Sequence, residues 1–153
     1  MVRVFLDANV YFAGCFSPTG ASACILQLAK RQRVQVVASR LVLREAERNL
    51  RAKGTRHAGQ VFRRLLKAAP LRIVRPPPDR VLARYERDIH PKDVPVLATA
   101  LEAGVDYLVT LDRRHFFTSA VRARAGRVKV LTLGEFLREL LRLKGEQVGI
   151  GEA

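Results

Sequence analysis

The sequence predicts an α/β fold, a three-layer α/β/α sandwich with a central parallel sheet. Two observations lead to this prediction. Short apolar or β-branched runs, such as Val2–Leu6 and Val34–Ala38, recur along the chain, and amphipathic helical segments separate them. Strands that alternate with helices favour a parallel sheet covered on both faces. With 153 residues, 48% of them hydrophobic, the chain is long enough for a single domain with a sizeable core. We place this domain at residues 1–144.

The first half of the chain carries clear boundary signals. Ser17-Pro18-Thr19-Gly20 predicts a turn before the first amphipathic helix. Ser39 is predicted to cap the second helix, and Gly54 to end it. Pro70 is expected to end the third helix. Strands are predicted at Val2–Leu6, Val34–Ala38 and Leu71–Val74, and helices at Ala21–Lys30, Ser39 to about Ala52, and Thr55–Lys67.

The second half continues the alternation after the stiff connection Pro76-Pro77-Pro78, which is too short to mark a domain boundary. Gly104 is predicted to close the helix that contains the apolar run before it. Residues 145–153 are expected to form a flexible tail. Helices are predicted at Val81–Arg87, Asp93–Ala103 and Leu133–Leu143, and strands at Tyr107–Thr110 and Val128–Leu131.

The composition favours a polyanionic partner and excludes several classes of protein. Lys plus Arg is 28 and Asp plus Glu is 14, so the net charge is +14, and such an excess attracts phosphate backbones. An arginine-rich genome or heat adaptation would give a similar balance. No apolar run is long enough to span a membrane, and the chain enters a predicted strand at Val2 without the pattern of a signal peptide, so we expect a cytoplasmic protein. Cys15 and Cys24 are predicted to be small buried hydrophobes in a reducing compartment.

Four carboxylates occupy positions that a parallel sheet would bring to one edge. Asp7 and Asp112 each follow a predicted strand, whereas Glu45 and Asp93 lie on or at the start of predicted helices. The carboxyl ends of parallel strands share one edge with the helix starts that follow them, and ligands bind there. Mg²⁺ and Mn²⁺ prefer oxygen ligands, and a bound cation offsets the repulsion between carboxylates. The pattern therefore indicates a divalent metal site.

Each carboxylate also has a purely structural interpretation. Asp7 is consistent with a helix cap, Asp93 with a favourable position at the positive end of a helix dipole, and Asp112 with a turn. Glu45 and Glu47 flank the same apolar helix face. Glu47 has an arginine four residues on, in the order that favours a surface ion pair, so Glu45 is freer to bind a metal.

Three segments resemble the motifs of a known family. Residues 5–10 (FLDANV) resemble the opening motif of PIN-domain ribonucleases, and residues 39–45 (SRLVLRE) resemble their second acidic motif. Residues 92–112 (KDVPVLATALEAGVDYLVTLD) closely resemble the third and fourth motifs and are the most specific part. Many members of this family are VapC-like toxins of bacterial and archaeal toxin–antitoxin pairs.

The resemblance implies a metal-dependent endoribonuclease in which one or two Mg²⁺ or Mn²⁺ ions bind at the acidic cluster. A water activated by the metal would attack the RNA phosphodiester and leave a 5′-phosphate. Asn9 and Thr110 match polar positions beside the cluster. An antitoxin partner and a homodimer are further expectations. The residues implied as catalytic and metal-binding are Asp7, Glu45, Asp93 and Asp112.

Basic residues lie beside these motifs. Arg113 and Arg114 directly follow the fourth motif and are predicted to bind substrate phosphates, although a solvated loop would have the same sequence. Four arginines at helical spacing, Arg40, Arg44, Arg48 and Arg51, predict either a solvated helix face or an RNA track. The three histidines, His57, His90 and His115, show no ligand spacing, so surface or packing roles are expected; an alternative for His115, which follows Asp112-Arg113-Arg114, is an approach to the substrate. The alternative to an enzyme is an RNA-binding or RNA-processing protein of the same fold without a toxin role.

Overall fold

The computed structural model describes residues 1–16, 20–53 and 55–152. The predicted turn at residues 17–19 and the predicted helix stop at Gly54 lie outside this described part. Within it, five strands form one parallel sheet in the order β3-β2-β1-β4-β5. The strands are β1 (Val2–Leu6), β2 (Val34–Ala38), β3 (Arg72–Ile73), β4 (Tyr107–Val109) and β5 (Lys129–Leu131).

Helices connect consecutive strands. Between β1 and β2 lie α1 (Ala8–Phe16) and α2 (Ala21–Lys30), and between β2 and β3 lie α3 (Arg40–Lys53) and α4 (Arg56–Ala68). Then follow α5 (Asp79–Leu82), 3₁₀ turns at Ala83–Tyr85 and Pro91–Asp93, and α6 (Val94–Glu102). After β4 come α7 (Arg113–Phe116) and α8 (Ser119–Ala125), and α9 (Leu133–Glu152) follows β5. Among the described residues, each helix is too short or too polar to span a bilayer.

The central strands confirm the predicted sandwich. Successive residues of a strand point to opposite faces of a sheet. Val4, Phe5 and Leu6 of β1 are fully buried, as are Leu108 and Val109 of β4. Because neighbouring residues on each strand are all buried, both faces of the sheet are covered, as expected for parallel strands in an α/β fold.

Local signals explain several boundaries. The hydroxyl of Ser39 accepts a hydrogen bond from the backbone N–H of Val42 at 3.2 Å and caps α3, as predicted. Gly104 has a φ of +66°, a left-handed conformation that suits glycine directly after α6. Thr55, predicted as the first residue of its helix, is instead the cap of α4.

Other predictions differ from the structure. The predicted helix Val81–Arg87 is a short α-helix, α5, followed by a 3₁₀ turn. The last helix continues past the predicted end at Leu143 to Glu152, while the predicted flexibility of residues 145–153 stays a prediction.

Cys15 is buried as expected, but Cys24 is exposed. The prediction for Cys24 is wrong because that residue lies on the outer side of α2, whereas its neighbour Ile25 faces the core.

Candidate metal centre

The strand order positions the site. The connections from β1 to β2 and from β2 to β3 progress to one side of the sheet, and β4 then pairs with the other side of β1. The carboxyl ends of β1 and β4 therefore meet at a topological switch point, where open α/β sheets bind ligands. Asp7 directly follows β1, and its backbone N–H donates to the carbonyl of Val109 at 3.0 Å. Thr110 directly follows β4.

Asp7 is buried and held by three donors. One carboxylate oxygen, Oδ1, accepts from the backbone N–H of Ala8 at 2.8 Å. The other, Oδ2, accepts from the hydroxyl of Thr110 at 2.8 Å and from the side-chain amide of Asn9 at 3.5 Å. Thr110 in turn accepts from the backbone N–H of Asp112 at 3.1 Å. These bonds join the ends of β1 and β4 and fix the direction of the Asp7 carboxylate.

Burial raises the pKa of Asp7 above its usual value because water no longer solvates the charged form. The hydrogen bonds from Thr110 and Ala8 oppose this rise, while the negative charges of Glu45 and Asp93 add to it. Both of these acids therefore lie near enough to Asp7 to interact with it electrostatically. A cation placed beside Asp7 would favour its ionised form.

Asp93 and Asp112 are brought together with a histidine. Asp93 ends the 3₁₀ turn Pro91–Asp93 and precedes α6, but its side chain makes no capping hydrogen bond. Asp112 caps α7, and its Oδ1 accepts from the backbone N–H groups of Arg114 and His115 at 3.0 and 3.1 Å. Nδ1 of His115 lies 2.8 Å from Oδ2 of Asp93 and 3.1 Å from Oδ2 of Asp112.

The donor set fits a divalent cation. One oxygen or nitrogen from each of Asp93, Asp112 and His115 lies within 4.8 Å of the others. Oδ2 of Asp93 is buried and accepts no hydrogen bond among the described residues, and Nδ1 of His115, 2.8 Å away, forms an ion pair with it only when the imidazole is protonated. A buried carboxylate oxygen without a hydrogen bond is costly unless a cation lies beside it.

Glu45 lies on α3, and its charge acts on Asp7. Its side chain is half-buried, and among the described residues it has no hydrogen bond or ion pair. Its neighbour Glu47 instead pairs with Arg51 at 2.8 Å. Asp7 and Glu45 do not belong to the tight group around His115, and the charges of Glu45 and Asp93 both act on Asp7.

The remaining candidate residues divide into two groups. Asn9 is part of the core of the site, since its side-chain oxygen accepts from the backbone N–H of Leu111 at 3.1 Å in addition to its bonds to Asp7 and Thr110. Arg113 and Arg114 are exposed at the start of α7. In the described part of the chain neither guanidinium has a hydrogen-bond or ion-pair partner, so both are available to a ligand.

The sequence interpretation missed His115. A surface or packing role was expected, but the residue lies between two of the predicted carboxylates. The available signal was the spacing Asp112-x-x-His115, because a side chain three residues after a helix cap lies close to the capping residue.

Comparisons with known proteins agree with this architecture. The family model of the PIN domain matches residues 3–114. The structure is similar to that of PAE2754 from Pyrobaculum aerophilum, with a TM-score of 0.63, 18% identity, and coverage of 92% of this chain and 96% of that chain. It is also similar to VapBC2 from Rickettsia felis bound to a DNA fragment from their promoter, with a TM-score of 0.60, 14% identity, and coverage of 86% and 98%. No curated protein matches the sequence significantly.

Proposed function

This chain belongs to the PIN-domain family, as its motifs predicted, and we propose that it is a metal-dependent endoribonuclease that hydrolyses RNA phosphodiesters. The observation that carries the proposal is the convergence of Asp93, Asp112 and His115 within 4.8 Å of one another, with the charge of Asp93 acting on the buried Asp7. Carboxylates held this close favour a bound divalent cation, Mg²⁺ or Mn²⁺.

The proposed site residues would have two different roles. Asp7, Glu45, Asp93 and Asp112 would hold the ion, which supplies Lewis-acid chemistry to water and to phosphoryl oxygens. Asn9 and Thr110 orient the Asp7 carboxylate through their hydrogen bonds.

Arg113 and Arg114 would bind RNA phosphates through their planar guanidinium groups. Their exposure and their place directly after Asp112 support this role. The net charge of +14 would attract RNA over a longer range and make binding weaken as salt rises.

The test compares two matched substitutions. Asp93→Asn removes a proposed metal ligand, whereas Asp88→Asn removes an acid that pairs with Arg124 at 2.6 Å. We expect the wild type and Asp88→Asn to cut single-stranded RNA with Mg²⁺ or Mn²⁺ and leave 5′-phosphates. Asp93→Asn and EDTA should abolish cutting. Equal cutting by Asp93→Asn, or cutting in EDTA, would refute the assignment.

We further propose that the protein is a cytoplasmic toxin of a toxin–antitoxin pair and forms a homodimer. The similarity to the family's VapC-like members supports this, as does the fold shared with VapBC2. An antitoxin with an acidic or apolar segment would cover the basic surface beside the site. Expression of the wild type should stop cell growth, and expression of Asp93→Asn should not. Unimpaired growth with active nuclease would favour a role in RNA processing.

A further inference from the structure

The imidazole of His115 occupies the position of a third ligand in the metal centre. Its Nδ1 atom lies 2.8 Å from Oδ2 of Asp93 and 3.1 Å from Oδ2 of Asp112. Adjacent ligands of an octahedral ion with bonds of about 2.1 Å are about 3.0 Å apart. The two measured separations therefore match the edges of a coordination octahedron.

The free atoms of the three side chains support the same interpretation. Asp112 uses Oδ1 to cap α7, which leaves Oδ2 beside the histidine. Oδ2 of Asp93 is buried without a hydrogen bond although Nδ1 is 2.8 Å away. A metal ion bound there would take the place of the proton that otherwise lets His115 pair with both carboxylates.

The ring of His115 is held in place before any ligand arrives. Its backbone N–H is anchored to Asp112 at 3.1 Å, and its ring stacks on His90 with centroids 5.1 Å apart and an interplanar angle of 13°. The ring of His90 is itself fixed, because its Nδ1 accepts from the backbone N–H of Lys92 at 3.2 Å. A donor with a fixed orientation loses little freedom when it binds an ion.

We propose that His115 is a metal ligand that makes this centre select Mn²⁺ over Mg²⁺. The inference rests on the proposed function only in placing the metal among these carboxylates. Imidazole nitrogen is a good ligand for first-row transition ions, whereas Mg²⁺ favours an all-oxygen shell. A site with one nitrogen and several carboxylate oxygens therefore discriminates between the two ions.

The first test measures metal affinity without RNA. Calorimetric titrations of the whole protein with MnCl₂ and with MgCl₂ would compare the wild type, His115→Gln and the control His57→Gln, whose histidine is exposed on α4. We expect His115→Gln to weaken Mn²⁺ binding at least about 10-fold, since even groups that only orient a ligand contribute about 10- to 100-fold. Mg²⁺ affinity should change much less. Equal Mn²⁺ affinity in all three proteins would overturn the proposal.

The second test is spectroscopic. Pulsed electron paramagnetic resonance of the Mn²⁺-loaded wild type should detect coupling to an imidazole nitrogen, and His57→Gln should retain it. Absence of nitrogen coupling would overturn the proposal even if RNA is cut, and the nuclease function would stand. Nitrogen coupling without RNA cutting would support the ligand and refute the nuclease.

Discussion

Replacing Thr110 with valine tests whether one buried hydroxyl organises the site. The Thr110 side chain is fully buried. Its hydroxyl donates to Asp7 at 2.8 Å and accepts from the backbone N–H of Asp112 at 3.1 Å and from Asn9 at 3.4 Å. Valine has nearly the same shape, so Thr110→Val removes these bonds without opening a large cavity.

The expected loss of stability follows from the charge on the acceptor. A hydrogen bond to a charged group contributes about 1.5–3 kcal/mol. The backbone N–H of Asp112 and the side-chain amide of Asn9 also lose a partner. We therefore expect the free energy of unfolding to fall by about 2–3 kcal/mol, which lowers the melting temperature by about 4–12 °C in a chain of this size. The Thr110 bond lowers the pKa of Asp7, so its loss raises that pKa and moves metal binding to higher pH.

The assay compares Thr110→Val with Thr99→Val. Thr99 is also buried, but its hydroxyl donates to the neutral carbonyl of Pro95 at 2.6 Å and not to a carboxylate. Urea unfolding in EDTA would give the loss of unfolding free energy for each variant. Mn²⁺ titrations over a range of pH would give the metal affinity of each variant. Thr99→Val should lose only about 0.5–1.5 kcal/mol and keep wild-type metal binding. Equal effects of the two substitutions would refute the reasoning.

Three further predictions concern charge. Because the folded-state pKa of Asp7 is raised above its usual 3.8, its contribution to stability is complete below that pH and is lost as pH rises through the raised value. The free energy of unfolding of the metal-free wild type should then fall by at most about 1.4 kcal/mol per pH unit. If urea titrations show that the difference in unfolding free energy between the wild type and Asp7→Asn does not change with pH, the prediction is contradicted. Glu45→Gln should weaken Mn²⁺ binding in calorimetry whereas Glu47→Gln should not, and a reversed order would show that the wrong acid was chosen. Arg114→Gln should reduce the slope of the logarithm of the RNA-binding constant against the logarithm of salt concentration by about one. Arg33→Gln, which lies just before the amino end of β2, should reduce this slope less. Fluorescence anisotropy measures both slopes.

The sequence predicted the features that depend on local pattern and parallel topology. The apolar run before Asp7 and the one before Thr110 each predict a buried strand, and parallel strands place their carboxyl ends together. Ser39 and Gly104 marked helix boundaries through capping preferences that act within a few residues. These features need no knowledge of side-chain packing.

The features that the sequence did not reveal depend on three-dimensional placement. The contact between His115 and Asp93 joins residues on separate elements, and it exists because the cap at Asp112 turns the chain into α7. The exposure of Cys24 depends on which face of α2 meets the core, and a helix rich in small apolar residues leaves this ambiguous. The strand register that places Thr110 against Asp7 is likewise a property of the assembled sheet.

The central claim is that separate segments converge to hold a divalent ion at the carboxyl ends of β1 and β4. A crystal of the protein soaked in MnCl₂ and measured at the manganese absorption edge tests it most directly. We expect an anomalous peak bound by Asp93 and Asp112, with Asp7 and Glu45 facing it. A fully occupied peak elsewhere, or none at saturating Mn²⁺, would contradict the account.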